Sequence, residues 1–165
     1  MIKVKKEKGN DIETEVLDIL KKYLEHPSVE KMKSYIQHGD VTTYEHSLAV
    51  AIKCYEYSRK MRRVNTELVT VSAFLHDFYL YDWHESDPSH RWHGFHHAER
   101  AADNAVRIFD VPDEVREIIL THMWPLNITR IPTSREGWIL TVADKRVALR
   151  ETLRGFFKMK NKEQA

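Results

Sequence analysis

The chain of 165 residues has little cysteine, glycine or proline, and its charges nearly cancel. The single cysteine, Cys54, excludes an internal disulfide framework and a zinc site built from several thiolates. Five glycines and five prolines disfavour a fold rich in β-turns. The 26 Lys and Arg residues against 25 Asp and Glu leave a formal charge of +1, so we expect no stable nucleic-acid partner. No apolar run approaches the roughly 20 residues of a membrane span, so we expect no membrane partner either.

The distribution of charge and apolar residues along the chain predicts one domain. Residues 1–10 are charged and lack the apolar segment of a secretory signal, which leads us to expect a flexible leader and a cytoplasmic location. Helical periodicity begins at Ile12 and continues to the charged C-terminus. We therefore predict a single helical domain over residues 11–157 and a loose tail over 158–165. The fold class is all-α, a compact bundle of about seven helices.

Several boundaries of these helices can be predicted from capping residues and breakers. Met32, Tyr35 and Ile36 suggest a short second helix that stops at the following glycine. Thr42 stands three residues before Glu45, the pattern of a capping box, and predicts a third helix that runs to about Arg62. Residues 78–92 lack a clear period and contain a proline, which predicts a loop rich in aromatic residues and histidine.

Histidine is the residue type in excess. The chain has ten histidines, and six of them lie within 22 positions: His76, His84, His90, His93, His96 and His97. A nearly neutral chain with clustered histidines and one cysteine favours a metal site of imidazole and carboxylate ligands.

Four segments place a histidine or an aspartate, residues that can bind a metal, on an otherwise apolar helix face. They contain His46, the pair His76-Asp77, His122 and Asp144. A buried aspartate costs free energy unless it is paired or bound to a metal. Two such aspartates with histidines on separate helices are most simply explained by one or two shared divalent cations.

The order of these residues resembles the HD-domain superfamily of metal-dependent phosphohydrolases. The resemblance extends from about Tyr44 to Arg150. Three local phrases carry it: Thr-Tyr-Glu-His46-Ser, Ala73-Phe74-Leu75-His76-Asp77 and Val142-Ala143-Asp144-Lys145. It implies a first metal held by His46, His76, Asp77 and Asp144. In the two-metal branch of the superfamily, His93 and His122 would hold a second ion and Asp77 would bridge the two.

The same resemblance implies an activity. It indicates hydrolysis of a phosphoester or phosphoanhydride bond in a nucleotide or another small phosphorylated metabolite. One or two Fe, Mn, Co, Ni or Zn ions would activate the attacking water. We expect Asp77, His97 and Lys145 to be the catalytic residues. We expect substrate contacts from His97, Lys145, Arg91 and Trp83, with Arg100, Arg130 and Trp124 as further candidates.

Three questions stay open at this point. His97 lies one helical turn after His93, so either histidine could be the ligand. A diiron oxygenase on the same scaffold would use an overlapping ligand set. A nucleotide-sensing domain without catalysis would keep the pocket and lose the turnover.

Overall fold

The fold is described by a computed structural model that covers residues 3–84 and 92–162. Over these ranges it contains seven helices and one two-stranded antiparallel sheet, in the order α1 (Lys3–Leu24), α2 (Pro27–Lys31), β1 (Ile36–His38), β2 (Val41–Thr42), α3 (Thr43–Ser58), α4 (Thr66–Leu75), α5 (His93–Phe109), α6 (Asp113–Thr121) and α7 (Arg135–Lys162). The predicted all-α bundle of about seven helices is confirmed. None of the helices in these ranges has the length and apolar character needed to cross a membrane.

The structure differs from the predicted elements at both ends and after α2. α1 begins at Lys3, inside the expected leader, and α7 continues to Lys162, through most of the expected tail. Lysine and glutamate are good helix formers, so helix can extend there without apolar periodicity. The second helix was predicted too far along the chain. Ile36 starts β1 instead, and Gly39, with φ of +63°, allows the tight turn into β2.

Helices α3, α4 and α7 begin at capping side chains, and the cap of α3 is the predicted Thr42. The Thr42 hydroxyl accepts a hydrogen bond from the Glu45 amide, and the Glu45 carboxylate accepts one from the Thr42 amide. Asn65 caps α4 in the same manner, through the Leu68 amide. Ser134 accepts from an amide in the first turn of α7. These side chains satisfy amides that have no partner within the helix, which fixes where each helix begins.

The core lies between α3, α4, α6 and α7. α4 packs against α3, α6 and α7, α1 covers α3 and α4, and α5 packs on α6. Fully buried side chains at the centre include Val50, Phe74, Leu75, Ile119 and Leu140. The alanines of α5 face inward, which allows α5 to approach its neighbours closely. Five helices therefore converge at one place: α3, α4, α5, α6 and α7.

Candidate metal centre

Six side chains with metal-ligating atoms converge where those five helices meet. Each of the six residues is less than one tenth exposed. They are His46 of α3, His76 and Asp77 at the end of α4, His97 of α5, His122 at the end of α6 and Asp144 of α7. Two groups of three have one ligand atom each within 4.8 Å of one another. The first contains His46, His76 and Asp144, and the second contains His76, Asp77 and His122.

The contacts between these side chains connect all six into one cluster. Nε2 of His46 lies 3.2 Å from Oδ1 of Asp144. Nε2 of His76 lies 3.2 Å from Oδ2 of Asp77 and 3.6 Å from Oδ1 of Asp144. Oδ1 of Asp77 lies 3.4 Å from Nε2 of His97. That nitrogen is in turn 3.2 Å from Nε2 of His122. The sequence candidates on five separate helices are therefore brought together.

Three of the imidazoles are oriented by backbone carbonyls of their own helices. Nδ1 of His76 donates to the carbonyl of Ala73 at 2.7 Å, and Nδ1 of His122 donates to that of Ile119 at 2.7 Å. Both histidines follow the last residue of their helix, where carbonyls lack helical partners. Nδ1 of His97 donates to the carbonyl one turn before it, at 2.9 Å. A carbonyl only accepts, so Nδ1 carries the proton and Nε2 of each neutral ring has a free lone pair.

This arrangement fits a divalent cation. Nε2 of His76 and Oδ1 of Asp77 are buried and make no hydrogen bond. The Nε2 atoms of His97 and His122 face each other with their lone pairs, which is unfavourable unless a cation lies between them. The donor set is four imidazoles and two carboxylates, which suits Fe, Mn, Co, Ni and Zn better than Mg or Ca.

Two polar neighbours of the cluster were not expected from the sequence. Oε2 of Glu151 accepts a hydrogen bond from Nδ1 of His46 at 2.8 Å. Its only signal in the sequence is its position seven residues, about two helical turns, after Asp144. Nε2 of Gln37 donates to Oδ2 of Asp77 at 2.6 Å. Gln37 lies on β1, where the sequence pattern predicts helix, so no local signal places it near Asp77.

Burial and mutual charges control protonation in the cluster when no metal is bound. Burial disfavours the charged form of His46, but hydrogen bonds to Asp144 and Glu151 outweigh it and raise the pKa to about 9. Burial and the charge of His76 lower the pKa of His122 to about 3. Burial alone would raise the pKa of Asp77, but His76, His97 and His46 together outweigh it and lower the pKa below its ordinary value. His122 is therefore neutral at pH 7, and Asp77 is ionised.

A cavity of about 690 Å³ opens onto the cluster. Its wall combines cluster residues with Trp83, Leu126 and Lys145. Nζ of Lys145 donates to the carbonyl of His122 at 3.0 Å, which holds the ammonium beside the cluster. The cavity thus joins a polar floor to a largely apolar wall.

His93 belongs to this wall. Its ring stacks between Trp83 and His97, at centroid distances of 5.2 and 4.7 Å. Its Nδ1 lies 2.8 Å from the hydroxyl of Tyr81. The cluster contacts described above involve His97, so the geometry favours His97 over His93 as a ligand.

The remaining substrate candidates fall into three groups. Arg91 lies outside the described residues. The guanidinium of Arg100 sits 4.9 Å from the centre of the Tyr81 ring. Arg130 forms an exposed ion pair with Glu99, and Trp124 packs edge-on against Trp138. In the described part of the chain, neither Arg130 nor Trp124 lines the cavity.

Comparison with models of known protein families gives a match. A family model described as HD domain matches residues 43–149, well over half of the chain. No curated protein and no solved structure matches the chain. The matched range includes all six side chains of the cluster.

Proposed function

The chain belongs to the HD-domain family, and from this premise we propose that it is a metal-dependent phosphohydrolase that acts on a small phosphorylated metabolite, such as a nucleotide. The observation that carries the proposal is the buried cluster of four histidines and two aspartates at the floor of an open cavity. A purely structural role would not account for two buried ionised carboxylates beside an unbonded imidazole nitrogen.

The cluster offers ligands for one or two transition-metal ions. His46, His76, Asp77 and Asp144 would hold the first ion. His97 and His122 would hold a second, with Asp77 shared between the two. When bound, such ions lower the pKa of a coordinated water towards neutrality and neutralise charge on phosphoryl oxygens. Fe, Mn, Co, Ni and Zn are the candidates, because imidazole and carboxylate ligands suit them.

The residues around the cluster have roles that follow from their contacts. Gln37 holds one oxygen of Asp77 by a hydrogen bond of 2.6 Å and leaves the other oxygen facing His97. Lys145, fixed by its hydrogen bond to the His122 carbonyl, presents positive charge where a phosphate would enter. Trp83 and Leu126 provide apolar surface for the organic part of the substrate.

The proposal is tested by measuring phosphate release from nucleoside mono-, di- and triphosphates and from sugar phosphates, with each candidate metal added. We expect activity in wild type and a fall of more than about a hundredfold in Asp77→Asn, which keeps the side-chain shape and removes the charge. Asp103→Asn makes the same chemical change at an exposed position of α5 and should keep full activity.

Three outcomes would contradict the proposal. If wild type and Asp77→Asn are equally inactive with every substrate and metal, the chain does not use the cluster for phosphohydrolysis. If wild type binds a nucleotide tightly without turnover, the chain is a sensor. A reaction that requires O₂ and stops under anaerobic conditions would instead favour the diiron oxygenase.

A further inference from the structure

A row of large apolar side chains runs along the face of α7 that points away from the core. We name it the apolar ridge: Trp138, Val142, Leu149, Leu153 and Phe156. Their exposed fractions lie between 39% for Trp138 and 61% for Leu149. Steps of four, seven, four and three residues put them on one side of a helix of 3.6 residues per turn. The opposite side of α7 carries the buried residues Leu140, Ala143 and Val147.

Positive charge flanks the apolar ridge along the same helix. Exposed cations there are Arg146, Arg150 and Lys160. Between positions 137 and 160 the sequence has two acidic residues, Asp144 and Glu151. Both belong to the core side, in contact with His46. No acidic side chain of this stretch therefore balances the cations on the outer face.

A second element extends this surface. The turn after α3 contains Lys60, Met61, Arg62 and Arg63, all exposed. Arg135 of α7 is tied to it, because its Nη1 donates to the Arg62 carbonyl at 2.7 Å. A groove of about 470 Å³ runs between Met61, Trp138 and Val142. We use the name basic apolar face for the apolar ridge together with Met61 and these exposed cations of α7 and of the turn after α3.

We propose that the basic apolar face docks on a membrane surface rich in anionic lipid. The ridge residues can enter the boundary between headgroups and acyl chains, where tryptophan and phenylalanine are favoured. The flanking cations lie at the level of the lipid phosphates, and each Lys or Arg near such a surface strengthens binding about fivefold. A helix that lies on the membrane surface needs no spanning segment. The proposed docking therefore replaces our expectation that the chain has no membrane partner.

Charge distinguishes this partner from the two nearest alternatives. A second copy of the chain packed ridge to ridge would bring two sets of cations together, which is repulsive. A nucleic acid would engage the cations and leave the apolar ridge in water. The whole chain has a formal charge of only +1, so the cations of this face are an excess that acidic residues elsewhere in the chain balance.

The experiment is co-sedimentation of the full chain with vesicles of phosphatidylcholine alone or with roughly 30% phosphatidylserine. We expect binding to the anionic vesicles only, weakened by high salt. Arg146→Glu with Arg150→Glu should weaken it at least tenfold, and Leu153→Ser with Phe156→Ser should weaken it comparably. The matched control is the double variant Lys21→Glu with Lys31→Glu, which reverses two exposed cations on α1 and α2. It should bind like wild type.

Thermal melting of each variant checks folding, and the substituted side chains are exposed, so we expect unchanged melting temperatures. Equal binding to both kinds of vesicle, or to neither, would overturn the proposal. So would a dimer in sedimentation velocity that Leu153→Ser with Phe156→Ser dissociates, because the face would then belong to a second copy. Binding to an oligonucleotide without binding to vesicles would overturn it as well.

Discussion

Nδ1 of His46 donates a hydrogen bond of 2.8 Å to Glu151, which lies two turns beyond Asp144 on the same side of α7. The imidazole of His46 is fully buried and contacts Asp144 through its other nitrogen, 3.2 Å away. A carboxylate behind a ligating histidine fixes the ring orientation and raises its basicity. α7 therefore supplies both one carboxylate of the cluster and the residue that orients His46.

Replacing Glu151 should weaken metal binding without removing a ligand. We expect Glu151→Ala to lower the affinity for Mn or Co by about 10- to 100-fold, measured by titration calorimetry. Glu151→Gln should lose less, because an amide oxygen still accepts from Nδ1. Thr152→Ala, an exposed neighbour, is the control. Unchanged affinity in Glu151→Ala would show that His46 needs no such support.

Lys145 should act on the substrate and leave the metal affinity unchanged. Its ammonium lies at the cavity wall, 3.0 Å from the carbonyl of His122. We expect Lys145→Met to lower kcat/KM by roughly ten- to a hundredfold, because one charge-assisted contact to phosphate is lost. Calorimetry of metal binding should match wild type. Arg146→Met removes an adjacent exposed cation and should keep normal kinetics. If Lys145→Met and Arg146→Met behave alike, Lys145 has no specific role.

Two substitutions on α7 should separate its faces. Leu140 is fully buried, and Val142 is 53% exposed. We expect Leu140→Ala to lower the free energy of unfolding by about 2–5 kcal/mol, since it removes buried methyl groups and leaves a cavity. Val142→Ala should change it by less than about 0.5 kcal/mol. Denaturant titration measures both. Similar losses in the two variants would mean that α7 packs differently.

Cys54 should be chemically silent in the folded protein. Burial raises the pKa of its thiol well above the ordinary value, and thiolate is the reactive form. We expect no labelling by a thiol-reactive disulfide reagent at pH 8 and one equivalent after unfolding. The unfolded thiol ionises near pH 8.5 while the folded one stays neutral. The free energy of unfolding therefore falls as the pH rises above that value. Rapid labelling of the native protein would contradict the buried position.

The sequence was sufficient for most of the helical architecture because the signals are local. Thr42, Asn65 and Ser134 each satisfy amides at a helix start, and such caps can be recognised from a few neighbouring residues. The ligand candidates were also recognisable, since polar residues on apolar helix faces require partners when buried. His46 and Asp144 are examples: each is unusual in its own helix.

The rest of the site depends on contacts between distant segments. Gln37 reaches Asp77 only because residues 36–42 form a hairpin, and three apolar residues before it suggested helix instead. In the sequence, Glu151 looks like an ordinary exposed residue on a charged helix. In the structure, α3 places His46 against it. The preference for His97 over His93 likewise needs the position of α6, which brings His122 to 3.2 Å from His97. Local patterns carry no information on these distances.

Anomalous diffraction from a crystal soaked in MnCl₂ tests whether the cluster holds a divalent cation. We expect an anomalous peak at a manganese ion coordinated by Nε2 of His46 and His76 and by oxygens of Asp77 and Asp144. We further expect a second peak beside His97 and His122 if two ions bind. A map with no peak among these six side chains, at a manganese concentration that occupies other sites, would contradict the proposed metal centre.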